Sequence, residues 1–109
     1  MVTMITLHML SEENRDKAQW VLTTNTELAR KAKGFVSRNI YFCVDDPLKG
    51  YSITAWESRE DLENFRRNPQ RPPLKSEVKG GPIYLQTEDG PVVMFTSTNT
   101  DIFEVLDVP

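Results

Sequence analysis

One histidine and one cysteine occur in 109 residues, and that count limits the chemistry open to the chain. His8 is the only side chain that titrates unperturbed near neutral pH, which makes it the natural candidate for a general base. It lies in an apolar, β-branched stretch, where a histidine is more commonly a hydrogen-bonded structural group than a base. Arg38, Asn39 and Tyr41 fall together in a second such stretch, with Ser52 and Thr54 in a third. Polar side chains inside a small sheet must be hydrogen-bonded or solvated. A ligand cavity satisfies them in one way, a wet subunit interface in another. Trp56 and Phe65 supply large rings, either as core anchors or as the walls of a pocket.

Other chemistries drop out. A single His excludes a site needing two imidazoles from one chain, and a single Cys43 excludes an intrachain disulfide and a thiolate metal cluster. No metal and no cofactor are expected, and Cys43 reads as a small apolar core residue. There is no glycine-rich phosphate loop, zinc-protease motif or nucleophile elbow. Thirteen basic against sixteen acidic residues give a net charge of −3 without a basic stripe, which weighs against a nucleic-acid partner. Arg66, Arg67 and Arg71 form a local basic patch. Its simplest reading is a solvated face; the alternative is a contact with an anionic ligand or a partner's carboxylate. No apolar run approaches the roughly 18 residues of a membrane span, so no membrane partner is expected. The first ten residues lack a basic flank and a small-residue cleavage site, which points to a cytoplasmic domain.

The elements that must position these residues follow from periodicity. Residues 2–10 read as a strand, with Ile5, Leu7 and Met9 on one face and Met4, Thr6, His8 and Leu10 on the other. Ser11 can cap a helix over 11–33 whose apolar stripe is interrupted by Asn25 and which stops at Gly34. Residues 35–44 and 51–56 read as an antiparallel hairpin around a turn at 45–50, with Arg38 breaking the apolar face of its first strand. Ser58-Arg59-Glu60-Asp61 resembles a capping box that opens a second helix carrying Leu62 and Phe65 and limited by Pro69. Residues 74–79 allow a further helical turn. Segments 82–87 and 92–97 flank Asp89-Gly90 as a hairpin, Thr96 to Thr100 reads as a polar connector, and residues 101–108 as a last strand.

This order is β-α-β-β-α-β with a hairpin inserted at 82–97, an α+β chain of the ferredoxin-like split β-α-β type in one domain over 1–109. Such an antiparallel sheet carries its helices on one face. Here both faces bear apolar side chains, and a second copy of the sheet is the economical cover, so a homodimer is expected.

The strand order, together with Ala55-Trp56-Glu57-Ser58 followed by Arg59-Glu60-Asp61-Leu62-Glu63-Asn64-Phe65, resembles the antibiotic biosynthesis monooxygenase family. Gly34 after the first helix and the ending Val105-Leu106-Asp107-Val108 are similar to that family as well. The resemblance implies a dimeric α+β barrel and a small cofactor-independent monooxygenase acting on a flat aromatic or polyketide-like molecule. For such chemistry this chain's own candidates are His8 as base, Asn39 and Ser52 as hydrogen-bond donors, and Trp56, Phe65 and Tyr41 around the substrate. The family's residue sets are only partly present. Haem-degrading members carry an Asn on the first strand, a Trp on the second helix and a later His; here Leu7 and His8, Phe65, and no histidine after His8 stand instead. Quinone-forming members place an Asn four residues before the strand-ending Trp, where this chain has Ser52. Members acting on signal-like small molecules carry His on the second helix and its following loop, where Phe65 and Gln70 stand. The alternative is a non-catalytic dimeric module, for small-ligand binding or stress, on the same scaffold.

Overall fold

Alternation along the first strand sets the layering. In the computed structural model, which describes residues 1–106, β1 (Val2–Leu10) buries Val2, Thr6, His8 and Leu10 and leaves Ile5, Leu7 and Met9 half-buried. The buried side receives both helices. Helix α1 (Arg15–Arg30) turns Ala18, Val21, Leu22, Asn25 and Ala29 inward. It starts later than the sequence predicts, because Ser11 serves a preceding turn: its Oγ accepts the Asn14 N–H at 3.4 Å. Asn14 stands at the N-cap without a capping bond and donates its side-chain amide to the Val93 carbonyl at 3.0 Å.

Gly34 follows α1 with φ of +81°, a left-handed conformation that suits glycine. A Cβ there would run into the Asp61 side chain, and the Gly34 carbonyl accepts the Glu57 N–H at 2.8 Å. The first helix ends at Arg30, earlier than the predicted residue 33, and Gly34 turns the chain into the next strand and seats the start of the second helix. β2 (Phe35–Cys43) and β3 (Asp46–Trp56) form the hairpin, tighter than predicted, with β3 beginning at Asp46. Pro47 is tolerated because the β1 pairing stops at Lys49. Helix α2 (Arg59–Arg66) is capped by Ser58, whose Oγ accepts the Asp61 N–H at 3.1 Å and donates to Asp61 Oδ2 at 2.9 Å.

Three strands complete the sheet: β4 (Leu74–Ser76), β5 (Ile83–Thr87) and β6 (Gly90–Glu104), in the order β2-β3-β1-β6-β5-β4. The first four positions are the ferredoxin-like order, and β5 and β4 extend it past β6. Two expectations are corrected here. Residues 74–76 pair with β5 as a strand rather than forming a helical turn. Thr96 to Thr100 is no connector but the middle of one fifteen-residue strand, paired to β5 through Phe95 and to β1 from Phe95 onward. Threonine is a β-branched strand former, and here Thr98 and Thr100 turn to the interior while Thr96 is exposed and donates to the Met9 carbonyl. The predicted last strand ends at Glu104; Asp107 and Val108 lie outside the described residues. Cys43 is exposed at the hairpin end, not in the core.

The apolar core has two parts. One gathers Leu10, Ala18, Val21, Leu22, Leu85, Met94 and Phe95; the other gathers Val2, Ala29, Trp56, Leu62 and Phe65. Buried polar residues, Thr6, His8, Asn25, Ser52 and Thr54, belong to neither.

Candidate active site

Strand register brings these polar residues together. Across the helix-facing side, Arg38, Thr54, Met4 and Ile102 make one row, and Ile40, Ser52, Thr6 and Thr100 make the next. Phe42, Gly50, His8 and Thr98 make a third. Between this surface and the helices lies a cavity of about 250 Å³. Thr6, His8, Ser52 and Arg38 line it from the sheet, Asn25 from α1, and Phe65 from α2.

His8 is 8% exposed, and its Nε2 lies 2.9 Å from Ser52 Oγ. The ring tilts against Phe95 at a centroid distance of 4.8 Å. Burial, with the Arg38 charge as second cause, lowers its pKa from 6.5 to about 4. The imidazole is therefore neutral at physiological pH. Nδ1 is buried without a partner, as is Thr98 Oγ1 opposite it in the register. Nε2, paired with Ser52, is thus the one ring nitrogen of His8 with a hydrogen-bond partner among the described residues. Thr6 Oγ1 and Thr100 Oγ1 pair at 3.0 Å in the neighbouring row.

Arg38 lies across the cavity floor, its Nε donating to Thr26 Oγ1 and its Nη1 to Thr54 Oγ1, both at 2.9 Å. Thr26 in turn donates to the Leu22 carbonyl at 2.8 Å, which fixes the acceptor. Arg71 donates from Nε to Asn25 Oδ1 and from Nη1 to the Arg66 carbonyl, both at 3.2 Å, with its guanidinium 5.1 Å over the Phe65 ring. Burial lowers both arginine pKa values, that of Arg38 to about 10, and each feels a neighbouring arginine as second cause. Both remain charged near neutral pH. Among the described residues no three His, Cys, Asp or Glu side chains cluster to hold a metal. The cavity offers a ligand hydrogen bonds, positive charge and apolar walls that include Phe65 and Phe95.

The sequence-derived residues divide. His8, Ser52 and Phe65 line the cavity. Trp56 is fully buried and does not line it; its ring lies tilted against Phe65 at a centroid distance of 5.0 Å, with the indole N–H unpartnered. Asn39 and Tyr41 project from the opposite face, beside Ile53 and Tyr51 in the register, and both are exposed. Arg38 and Asn25 stand where the sequence shows a polar residue interrupting an apolar stripe, a signal that could have nominated both. Arg71 follows a proline-broken helix end and carries no periodic signal.

Residues 1–71 match the family described as antibiotic biosynthesis monooxygenase, and the chain belongs to that family. Solved structures share the fold at low identity. A Mycobacterium tuberculosis protein, Rv0793, is 16% identical with a TM-score of 0.71, covering 98% of this chain and 96% of its own. A Pseudomonas aeruginosa protein, PA3566, is 13% identical with a TM-score of 0.70, covering 97% and 94%. SnoaB, a cofactor-independent oxygenase from Streptomyces nogalater, is 10% identical with a TM-score of 0.68, covering 98% and 94%. No curated protein matches the sequence.

Proposed function

We propose that the chain is a cofactor-independent monooxygenase for a flat aromatic or polyketide-like small molecule, acting as a cytoplasmic homodimer. The observation that carries this reading is the buried His8–Ser52 pair at 2.9 Å facing a cavity with aromatic and aliphatic walls. A substrate with an acidic ring C–H loses a proton to Ser52 as the Ser52 proton passes to His8 Nε2. The resulting carbanion, spread over the aromatic system, gives its electrons to dioxygen. A C–O bond forms, and loss of water leaves a carbonyl, so that CH₂ and O₂ become C=O and H₂O. A neutral imidazole of low pKa is a weak base in the empty site, and the negative charge developing beside it favours the imidazolium.

Each subunit's open sheet face, with Ile5, Leu7, Tyr51 and Ile53, fits a second copy of itself. The exposed Cys43 thiol suits a reducing compartment.

Oxygen uptake with anthrone and naphthol substrates tests the reading. His8→Asn and Ser52→Ala should each lose about 100-fold or more, and the double variant little further, because the two act as one unit. Full uptake in folded His8→Asn would discard His8 as the base. Tight binding of these compounds without oxygen uptake would favour the non-catalytic module.

A further inference from the structure

The charge around the cavity is opposite to that of the whole chain. The protein carries sixteen acidic and thirteen basic residues, yet Arg38, Arg66, Arg71 and Lys75 line the cavity and no Asp or Glu does. Asp101 lines only the adjoining opening, where Lys79 also stands. Among the described residues, the ion pairs are Arg59–Glu63 and Arg66–Glu63, so neither Arg38 nor Arg71 has a carboxylate partner.

A half-buried guanidinium held only by neutral acceptors leaves a positive charge that a ligand can compensate. Here the two cations are fixed in place. Arg38 is tied by Nε and Nη1 to Thr26 and Thr54, and Arg71 by Nε and Nη1 to Asn25 and the Arg66 carbonyl. The Nη2 group of each has no partner among the described residues, so one donor group on each planar fork remains for a ligand. Phe65 and Phe95 add apolar ring faces to the same cavity.

We propose that the cavity selects aromatic molecules bearing a carboxylate, which Arg38 and Arg71 hold while the ring packs against Phe65 and Phe95. This deepens the monooxygenase reading by naming the substrate class, and rests on it only for turnover. A carboxylate matches the planar guanidinium donors, and its single negative charge offsets one of the two positive charges that Arg38 and Arg71 bring to the cavity. Arg38 and Arg71 then determine specificity, and His8 and Ser52 the chemistry.

A matched pair of probes separates charge from shape: 2-naphthoate and its neutral isostere 2-naphthamide, titrated calorimetrically into the full chain. Naphthoate should bind at least about tenfold more tightly than naphthamide, the gain of a charge-assisted hydrogen bond. Arg38→Gln and Arg71→Gln should each reduce naphthoate binding toward that of the amide and leave the amide unchanged. Arg67→Gln, on the outer side of α2, should alter neither. Thermal melts check that each variant folds; should Arg38→Gln not fold, Arg71→Gln and the unmutated chain carry the test. Equal affinity for the two probes, binding of neither, or an undiminished preference in both folded arginine variants would overturn the proposal. Oxygen uptake is a separate readout: a naphthoate preference without turnover of any aromatic carboxylate sinks the oxygenase reading and leaves the selectivity standing.

Discussion

The two faces of one sheet are built from the same strands and have opposite characters. On the helix-facing side, β1 presents Thr6 and His8 beside Ser52 and Thr100, buried, hydrogen-bonded and wrapped around a cavity. One residue along, the other side presents Ile5 and Leu7 beside Ile53 and Tyr51, with Tyr41 54% and Phe103 48% exposed. The covered face therefore sets a polar patch within its apolar core, and the uncovered face leaves apolar side chains without cover in the subunit. Burial within one subunit thus holds both the core and the polar site, while the apolar side chains of the other face have no cover within the subunit.

Breaking the open face should have the largest effect. Light scattering should give twice 12.5 kDa for the unmutated chain at micromolar concentration, and Leu7→Lys should halve it. A well-folded monomer of the parent chain would remove the reason for the apolar face. Next is the covered face at its sealed end. Trp56 is wholly buried, and Trp56→Ala should cost about 3–5 kcal/mol in denaturant unfolding. Trp56→Phe keeps most of the packing and discards an N–H that already lacks a partner, so it should fold nearly normally.

A smaller effect comes from His8. Its pKa is 6.5 when unfolded and about 4 when folded, so on acidification the unfolded chain takes up the proton first. Stability is fully present above the unfolded value and is lost as pH falls toward the folded one. Between about pH 7 and pH 5 the His8 contribution should drop by about 2 kcal/mol, and a folded His8→Asn variant should show that much less pH dependence. An identical pH profile in the variant would mean that the imidazole is solvated. Smallest is the cap: Ser58→Ala should cost about 1 kcal/mol and leave ligand binding unchanged.

Much of this comparison is legible in the sequence. Alternation along residues 2–10 separates His8 from Leu7, the Ser58 cap is visible by spacing, and Gly34 marks the turn that follows α1, although the helix itself ends at Arg30. Arg38 and Asn39 look like neighbours in one polar cluster, although period-two alternation places them on opposite faces. Thr96 to Thr100 looks like a loop because its side chains are polar, and only the pairing to β1 makes it strand. Arg71 reaches Asn25 across forty-six positions, a contact no local pattern encodes.

The length of β6 also governs how the molecule comes into being. β1 pairs with it from Val2 opposite Glu104, so the first strand made waits for the last one. During synthesis the hairpin of β2 and β3 can form early and dock on one edge of β1, while the other edge stays open until nearly the whole chain has emerged. Long-range pairing of this kind slows folding and leaves an unsatisfied strand edge on the nascent chain. The wall that carries Thr98 and Thr100 is added in this last step, so no partly made chain can possess the finished cavity.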